Sequence, residues 1–334
     1  MGRGKYRATL LIGAALLALC PTAALAGFEL VALGVRGGVE QQNLSAYLIR
    51  SDQDTRWLAL DAGSLLPGIR QALAKGSLPE ATPQQAAPLT PEGYVFRELI
   101  AGYFISHGHL DHLAGLLLNA PEDKPRKPIY TTSDTANTLR THYFNWKSWP
   151  NFSDSGNGTR LGTYRIYTPP PGQRFTLADT RMSGVIYPLS HGGGASAMLL
   201  IRHGEEAFAY FGDTGADAVE RSRHLHAAWE ALAPLVQARQ LKGIMLESSY
   251  ADDQPSDRLY GHLTPALLLS ELARLATLSG GEEALRGLPV VVTHIKPSLQ
   301  AGKDVPAEVK QQLDAGNRLG VNFIFMQQGD RLTF

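Results

Sequence analysis

The stretch YFISHGHLDHLAGLLLNAP, from Tyr103 to Pro121, decides how this chain folds. Apolar residues lead up to Ser106. Then His107, His109, Asp111 and His112 crowd into six positions, and an apolar, helix-like run leads away. A strand ending at Ser106 places the next residues on the loop at its C-terminal edge, and Gly108 lets the backbone turn sharply there. His107 and His109 stand two apart, so both rings can point into one cleft. Asp111 and His112 open the following helix, where the macrodipole favours a carboxylate. Burying four such groups between apolar elements is costly unless they hold a cation.

The flanking sequence repeats a strand-then-helix rhythm. Short β-rich runs at 28–35, 45–50 and 56–63 precede a helical stretch at 65–75 and a Pro-rich loop at 78–93. The strand 98–106 and helix 110–119 follow, then a strand at 128–132, a helix at 133–142 and an aromatic, Gly-rich loop at 144–160. The second half predicts strands at 163–168, 184–189, 197–203 and 207–212 and a long helix over 217–240. Strands at 242–248 and 288–294, helices near 264–278 and 305–318, and a last strand NFIFMQ complete it. Two strand-rich halves, each closed by helices, predict an α/β fold: an αββα sandwich in a single domain over 27–334.

The first 26 residues read differently. Arg3, Lys5 and Arg7 precede an uncharged apolar run, and Ala24–Ala26 form an A-x-A site. This is the pattern of a signal peptide over 1–26, with Gly27 as the first mature residue and a periplasmic or secreted destination. A retained anchor helix and a lipid-modified Cys20 are the other readings. Cys20 is the single cysteine, so a chain cleaved before Gly27 has no disulfide and no thiolate ligand. Any metal must sit on His, Asp or Glu, which suits zinc or a similar divalent ion. Lys plus Arg equals Asp plus Glu at 31 each, so no field invites nucleic acid or an acidic membrane.

HGHLDH matches the H-x-H-x-D-H signature of the metallo-β-lactamase superfamily. The longer HGHLDHLAGLLLNAP closely resembles the signature of the class II cyclic-nucleotide phosphodiesterases, with Asn119 where that family usually has Ser. The superfamily pattern continues in YPLSHGGG (His191), FAYFGDTGAD (Asp213) and VVVTHIKP (His294), each after an apolar run. The resemblance implies two divalent ions, zinc being expected, roughly 3.5–4 Å apart and sharing a hydroxide. It implies that His107, His109 and His191 hold one ion, that Asp111, His112 and His294 hold the second, and that Asp213 bridges. Asp111 is then a catalytic as well as a ligating residue.

His262, in LYGHLTP, and Glu247, in MLESSY, resemble the second motif of that family and of the transfer-RNA 3′-processing endonucleases. There such a His sits near the leaving oxygen; the plainer reading is a ring that packs at a helix start. Asp61 in LALDAGS either orients a ligating His or is a turn carboxylate. Trp146, Trp149 and Phe152 offer ring faces to a purine, or else clamp the core. His142 is ambiguous, and His203, His224 and His226 read as structural or solvated.

The resemblance implies hydrolysis of 3′,5′-cyclic nucleotides, cAMP first, to 5′-monophosphates, with His262 protonating the ribose 3′-oxygen. The partner is then a small-molecule cyclic nucleotide, with no nucleic acid and no membrane after leader removal; a homodimer stays open. Rival readings keep the metals and change the substrate: an endonuclease-like phosphodiesterase, a lactonase or a β-lactamase. A non-enzymatic scaffold would have lost ligands, and here all seven positions are filled.

Overall fold

The computed structural model describes Met1, Gly2, Gly4 and residues 27–334. The expected leader, with Cys20, otherwise lies outside the described residues. The first sheet contains strands β1 (Phe28–Gly34), β2 (Ala46–Ser51), β3 (Trp57–Leu60), β4 (Ile100–Phe104), β5 (Lys127–Tyr130) and β6 (Tyr164–Tyr167). The second contains β7 (Arg174–Thr176), β8 (Ser183–His191), β9 (Gly194–His203), β10 (Glu206–Phe211), β11 (Leu241–Glu247), β12 (Pro289–Thr293) and β13 (Asn322–Ile324). The last strand, β14 (Arg331–Thr333), returns to the first sheet, whose order is β14-β1-β2-β3-β4-β5-β6. The second sheet runs β13-β12-β11-β10-β9-β8-β7.

Alternation along each strand feeds two cores at once. In β1, Val31 and Leu33 face the helices of the first layer, while Phe28, Leu30 and Ala32 face the other sheet. In β10, Phe208 and Tyr210 face the middle core, and Ala207, Ala209 and Phe211 pack toward the helices His224–Gln237, Pro265–Leu278 and Val305–Gly316. Both sheets are therefore covered on both faces, which is why their strands read as nearly continuous apolar runs. The result is the expected αββα sandwich.

Topology then collects strand ends on one edge. β3, β4, β5 and β6 are parallel neighbours, as are β10, β11, β12 and β13. β8 points the same way as β10 because each is antiparallel to β9. The carboxyl ends of such strands are where open α/β sheets place their ligands. Asp61, Ser106, His191, Asp213, Glu247 and His294 all sit at or just beyond these ends.

Three local differences from the sequence reading have physical causes. The expected helix over 217–240 is interrupted at Arg221, which is left-handed, and restarts as His224–Gln237. The Asp217 carboxylate causes the break by accepting from Ser222 Oγ and from the amides of Leu225 and His226, so it caps the second segment from a distance. The 78–93 loop contains short helices Pro83–Ala86 and Pro91–Tyr94, each capped by a threonine, Thr82 and Thr90. Strands β7 and β14 have three residues each, too short to announce themselves by alternation.

Candidate metal centre

The loop after β4 is held by close contacts that only glycine permits. A Cβ on Gly108 would lie 2.7 Å from Thr138 Cγ2, and one on Gly115 would lie 2.7 Å from the Ala62 carbonyl oxygen. The helix Leu110–Asn119 thus packs directly on the turn after β3, where Ala62 N–H donates to His112 O at 2.7 Å and Leu116 N–H donates to Ala62 O at 3.1 Å. This fixes His112 beside Asp61. Gly212 passes equally close to Ser106, and a side chain there would meet its Cβ at 2.4 Å. That contact brings Asp213, at the end of β10, under the histidine loop.

Asp213 is the hub. Its Oδ1 lies 3.2 Å from His112 Nε2, and its Oδ2 lies 3.2 Å from His294 Nε2, 3.7 Å from His107 Nε2 and 3.8 Å from His191 Nε2. His107, His109 and His191 form one set of mutually close donor atoms; Asp111, His112 and His294 form another; His107, His112 and Asp213 form a third between them. The structure therefore brings together all seven residues singled out in the sequence. His262 also joins, in sets with His191 and Asp213 and with Glu247 and His294.

Every ring of the centre but that of His109 is oriented through its outer nitrogen, as suits metal-ligating imidazoles. His112 Nδ1–H donates to Asp61 Oδ2 at 2.7 Å, and His191 Nδ1–H donates to the Gly261 carbonyl at 2.8 Å. His107 Nδ1 faces Ser106 Oγ at 3.0 Å. Ser249 Oγ donates to Glu247 Oε2 at 2.5 Å and so accepts from His294 Nδ1–H at 2.9 Å. His262 Nδ1–H donates to Glu247 Oε1 at 2.8 Å. His109 differs: its Nδ1 faces His191 Nε2 at 3.2 Å.

The electrostatics favour the ligand forms of these groups. Burial pushes His107 and His191 below the usual imidazole range, and with it His109, so their rings are neutral. Burial opposes charge on Asp213 and Asp111 too, but neighbouring histidines outweigh it and both carboxyls are held down, hence ionised. Against its own burial, His112 is pushed up by Asp213 and Asp61, which marks the space between those carboxylates as one that demands positive charge. Burial likewise raises Glu247 to about 7 and lowers His262 to about 4, so these two share a proton at neutral pH. Neutral imidazoles and ionised carboxylates are the forms that bind a divalent cation. His107 Nε2 is buried without a hydrogen-bond partner, a costly state that a cation relieves. The residues fit divalent metal binding.

Asp61 is fully buried and hydrogen-bonded to His112, so it orients a ring rather than closing a turn. Its left-handed φ of 54° is one that Asp tolerates. Trp149 packs on the first core with its indole nitrogen buried, beside Phe144 and Phe152. Trp146 is 49% exposed and its Nε1–H donates to Thr159 O at 2.7 Å. His142 is exposed, and His226 pairs with Glu230 at 3.4 Å. Sequence reasoning passed over Gly37, Gly38 and Ser249. Gly38 N–H donates to Asp111 Oδ2 at 2.9 Å, and a Cβ on Gly37 would lie 2.4 Å from His294 Cε1. The adjacent glycines in GVRGG were the available signal.

Comparison with known proteins agrees with this geometry. The family model of the class II cAMP phosphodiesterases matches residues 28–329. A protein of Yersinia pestis named a probable 3′,5′-cyclic-nucleotide phosphodiesterase is 52% identical over 309 residues, covering 92% of this chain and 90% of its own. A 3′,5′-cyclic-nucleotide phosphodiesterase of Aliivibrio fischeri is 44% identical, covering 92% and 93%. Among solved structures, unliganded yeast PDE1 superposes with a TM-score of 0.81 at 22% identity, covering 92% of this chain and 99% of its own. The metallo-β-lactamase fold protein YhfI of Bacillus subtilis superposes at 0.58 and 16% identity, with coverage of 92% and 99%. Built on the metallo-β-lactamase fold and matched by that family model over nearly all its described length, the chain belongs to the class II cyclic-nucleotide phosphodiesterases.

Proposed function

We propose that this protein hydrolyses 3′,5′-cyclic nucleotides, cAMP foremost, to 5′-monophosphates at a centre of two zinc ions. The observation that carries the reading is the convergence of two ligand sets on one buried carboxylate, Asp213. His107, His109 and His191 would hold one ion; Asp111, His112 and His294 would hold the other; Asp213 would serve both. When bound, the ions supply a nucleophile from water and offset charge on the phosphate.

The chain's own residues do the rest. Asp61, Ser106, Ser249 and the Gly261 carbonyl hold the rings so that their inner nitrogens converge beside Asp213. Glu247 holds His262 through Nδ1–H, and the second proton of this buried pair, carried on Nε2 in the imidazolium form, is the one given to the ribose 3′-oxygen as it departs. Asp111, on the exposed side of the site, keeps a charged oxygen at the entrance. Trp146 offers the half-exposed ring face of its loop to the base. The catalytic unit spans 27–334 as one domain, reached by export and removal of residues 1–26.

The test is purified protein with cAMP, with 5′-AMP separated from 3′-AMP. Turnover to 5′-AMP that stops on chelation and returns with zinc is expected. Absence of turnover, or 3′-AMP as product, overturns the reading. Export is checked separately by N-terminal sequencing of the mature protein, expected to begin at Gly27; a retained leader or a lipidated Cys20 refutes it.

A further inference from the structure

Building on this phosphodiesterase reading, we propose that Lys296, carried against the ring of Tyr250, is the cation that binds the substrate phosphate at the rim of the centre. Lys296 follows His294 by two residues in THIKP. Its N–H donates to Ser249 O at 3.0 Å, and Ser249 N–H donates to Leu263 O at 3.0 Å. The segments bearing Tyr250, His262 and Lys296 are thus stitched together through one serine. The ammonium stands 5.7 Å from the centroid of the Tyr250 ring, within cation–π range. That ring in turn meets His262 edge-on at 5.7 Å.

On its other side the lysine stem runs past Gly38. A Cβ there would be 3.9 Å from Lys296 Cδ, and the Gly38 amide is the one that holds Asp111. The Lys296 stem therefore passes the glycine that holds Asp111 and ends against the ring that meets His262, and its charge bears on His262 after burial and Asp213. The other cations nearby are neutralised: Lys303 pairs with Asp253 at 2.7 Å, and Arg36 faces Glu40 at 3.7 Å. Among the described residues the ammonium of Lys296 meets a ring face and no carboxylate. A half-buried, unneutralised cation at the mouth of this centre is matched by the ligand chemistry. The cyclic diester carries one negative charge and the product monophosphate nearly two. Lys296 gains attraction as charge builds on the phosphate, so it favours the later species over the substrate.

The experiment uses metal-loaded enzyme and Lys296→Ala, Lys296→Gln and Lys296→Arg. Loss of one charge-assisted contact should lower kcat/KM for cAMP roughly 10- to 100-fold in the first two variants, with Lys296→Arg recovering most of it. Bis-p-nitrophenyl phosphate should suffer alike, because it presents the same charge. The inhibition constant of 5′-AMP should rise by a larger factor than the KM of cAMP, since the product is nearly a dianion. Unchanged constants, a loss confined to cAMP, or a loss explained by missing metal would overturn the assignment. Inhibition by 5′-AMP and turnover of the artificial ester read Lys296 even if cAMP proves not to be the substrate, so the two proposals fail separately.

Discussion

Asp61 and His112 meet at 2.7 Å with both side chains sealed from solvent. The same Asp61 oxygen also accepts from Ser106 Oγ at 2.7 Å and from Tyr210 Oη at 2.6 Å. The other oxygen, Oδ1, accepts from Ser106 N–H at 2.7 Å, so whichever way Asp61→Asn turns, its NH₂ faces a donor. Partners of this kind are worth about 10–100-fold in metal affinity. The variant should lose metal by that factor in equilibrium dialysis and melt at a lower temperature. Wild-type metal affinity in Asp61→Asn would refute the assigned role.

Gly37→Ala places a methyl 2.4 Å from the ring of His294, whose own φ of 56° leaves its backbone little latitude to yield. The ring must move away from Asp213. The expected result is a drop in kcat/KM of about 10²-fold with one metal equivalent lost and far-UV dichroism unchanged. Full metal occupancy at normal activity would show that the ring adapts.

His262→Ala separates a proton donor from a ligand. An alkoxide leaves badly without a proton, whereas p-nitrophenolate leaves easily. Hydrolysis of cAMP should slow about 10²–10⁴-fold and that of bis-p-nitrophenyl phosphate much less, with metal retained. Because the structure sets His262 among the ligand atoms, metal analysis of the variant is decisive. Loss of an ion would move His262 into the coordination shell, and equal losses on both esters would make it a phosphate-binding group.

Acid stability should report on Glu29, which ties β1 to Arg50 of β2 at 2.6 Å and to Arg331 of β14. Burial opposes its ionisation, but the two guanidiniums prevail and hold the carboxyl below its ordinary value. A carboxyl lowered on folding contributes stability that is present above its unfolded pKa and is lost as pH falls through the folded one. Glu29→Gln should therefore be less stable than wild type at pH 7, by about 1 kcal/mol for a partly exposed pair. The two should converge in denaturant melts below about pH 4. A gap that persists at low pH would mean that shape rather than charge is responsible.

The residues of the candidate metal centre were legible because their signal is local or ordered. HGHLDH is a single turn, and His191, Asp213 and His294 each punctuate an apolar strand. Strand ends on one sheet edge is a topological fact that such punctuation encodes. What could not be read were contacts made by backbone across long separations. Gly37 against His294, and Lys296 beside Tyr250, depend on loops whose meeting no periodicity announces. The break at Arg221 was hidden for a related reason: helical spacing continues through it, and only the placement of Asp217 stops the helix. The aromatic loop left two readings open in the sequence, a ring face for a base or a clamp on the core, because composition does not say where Trp149 and Phe152 pack; in the fold both lie against the first core.

Strand β14 lies along β1, with Phe28 N–H donating to Phe334 O at 3.1 Å and Phe334 N–H donating to Phe28 O at 2.9 Å. The earliest strand to leave the ribosome thus waits for the latest one. Until β14 has been made, β1 carries a bare edge, and the sheet that positions the histidine loop stays unfinished. Closure of this kind has a high contact order and is slow. For a chain proposed to be threaded unfolded through a membrane pore, lateness is useful: the polypeptide remains threadable until β14 has been made.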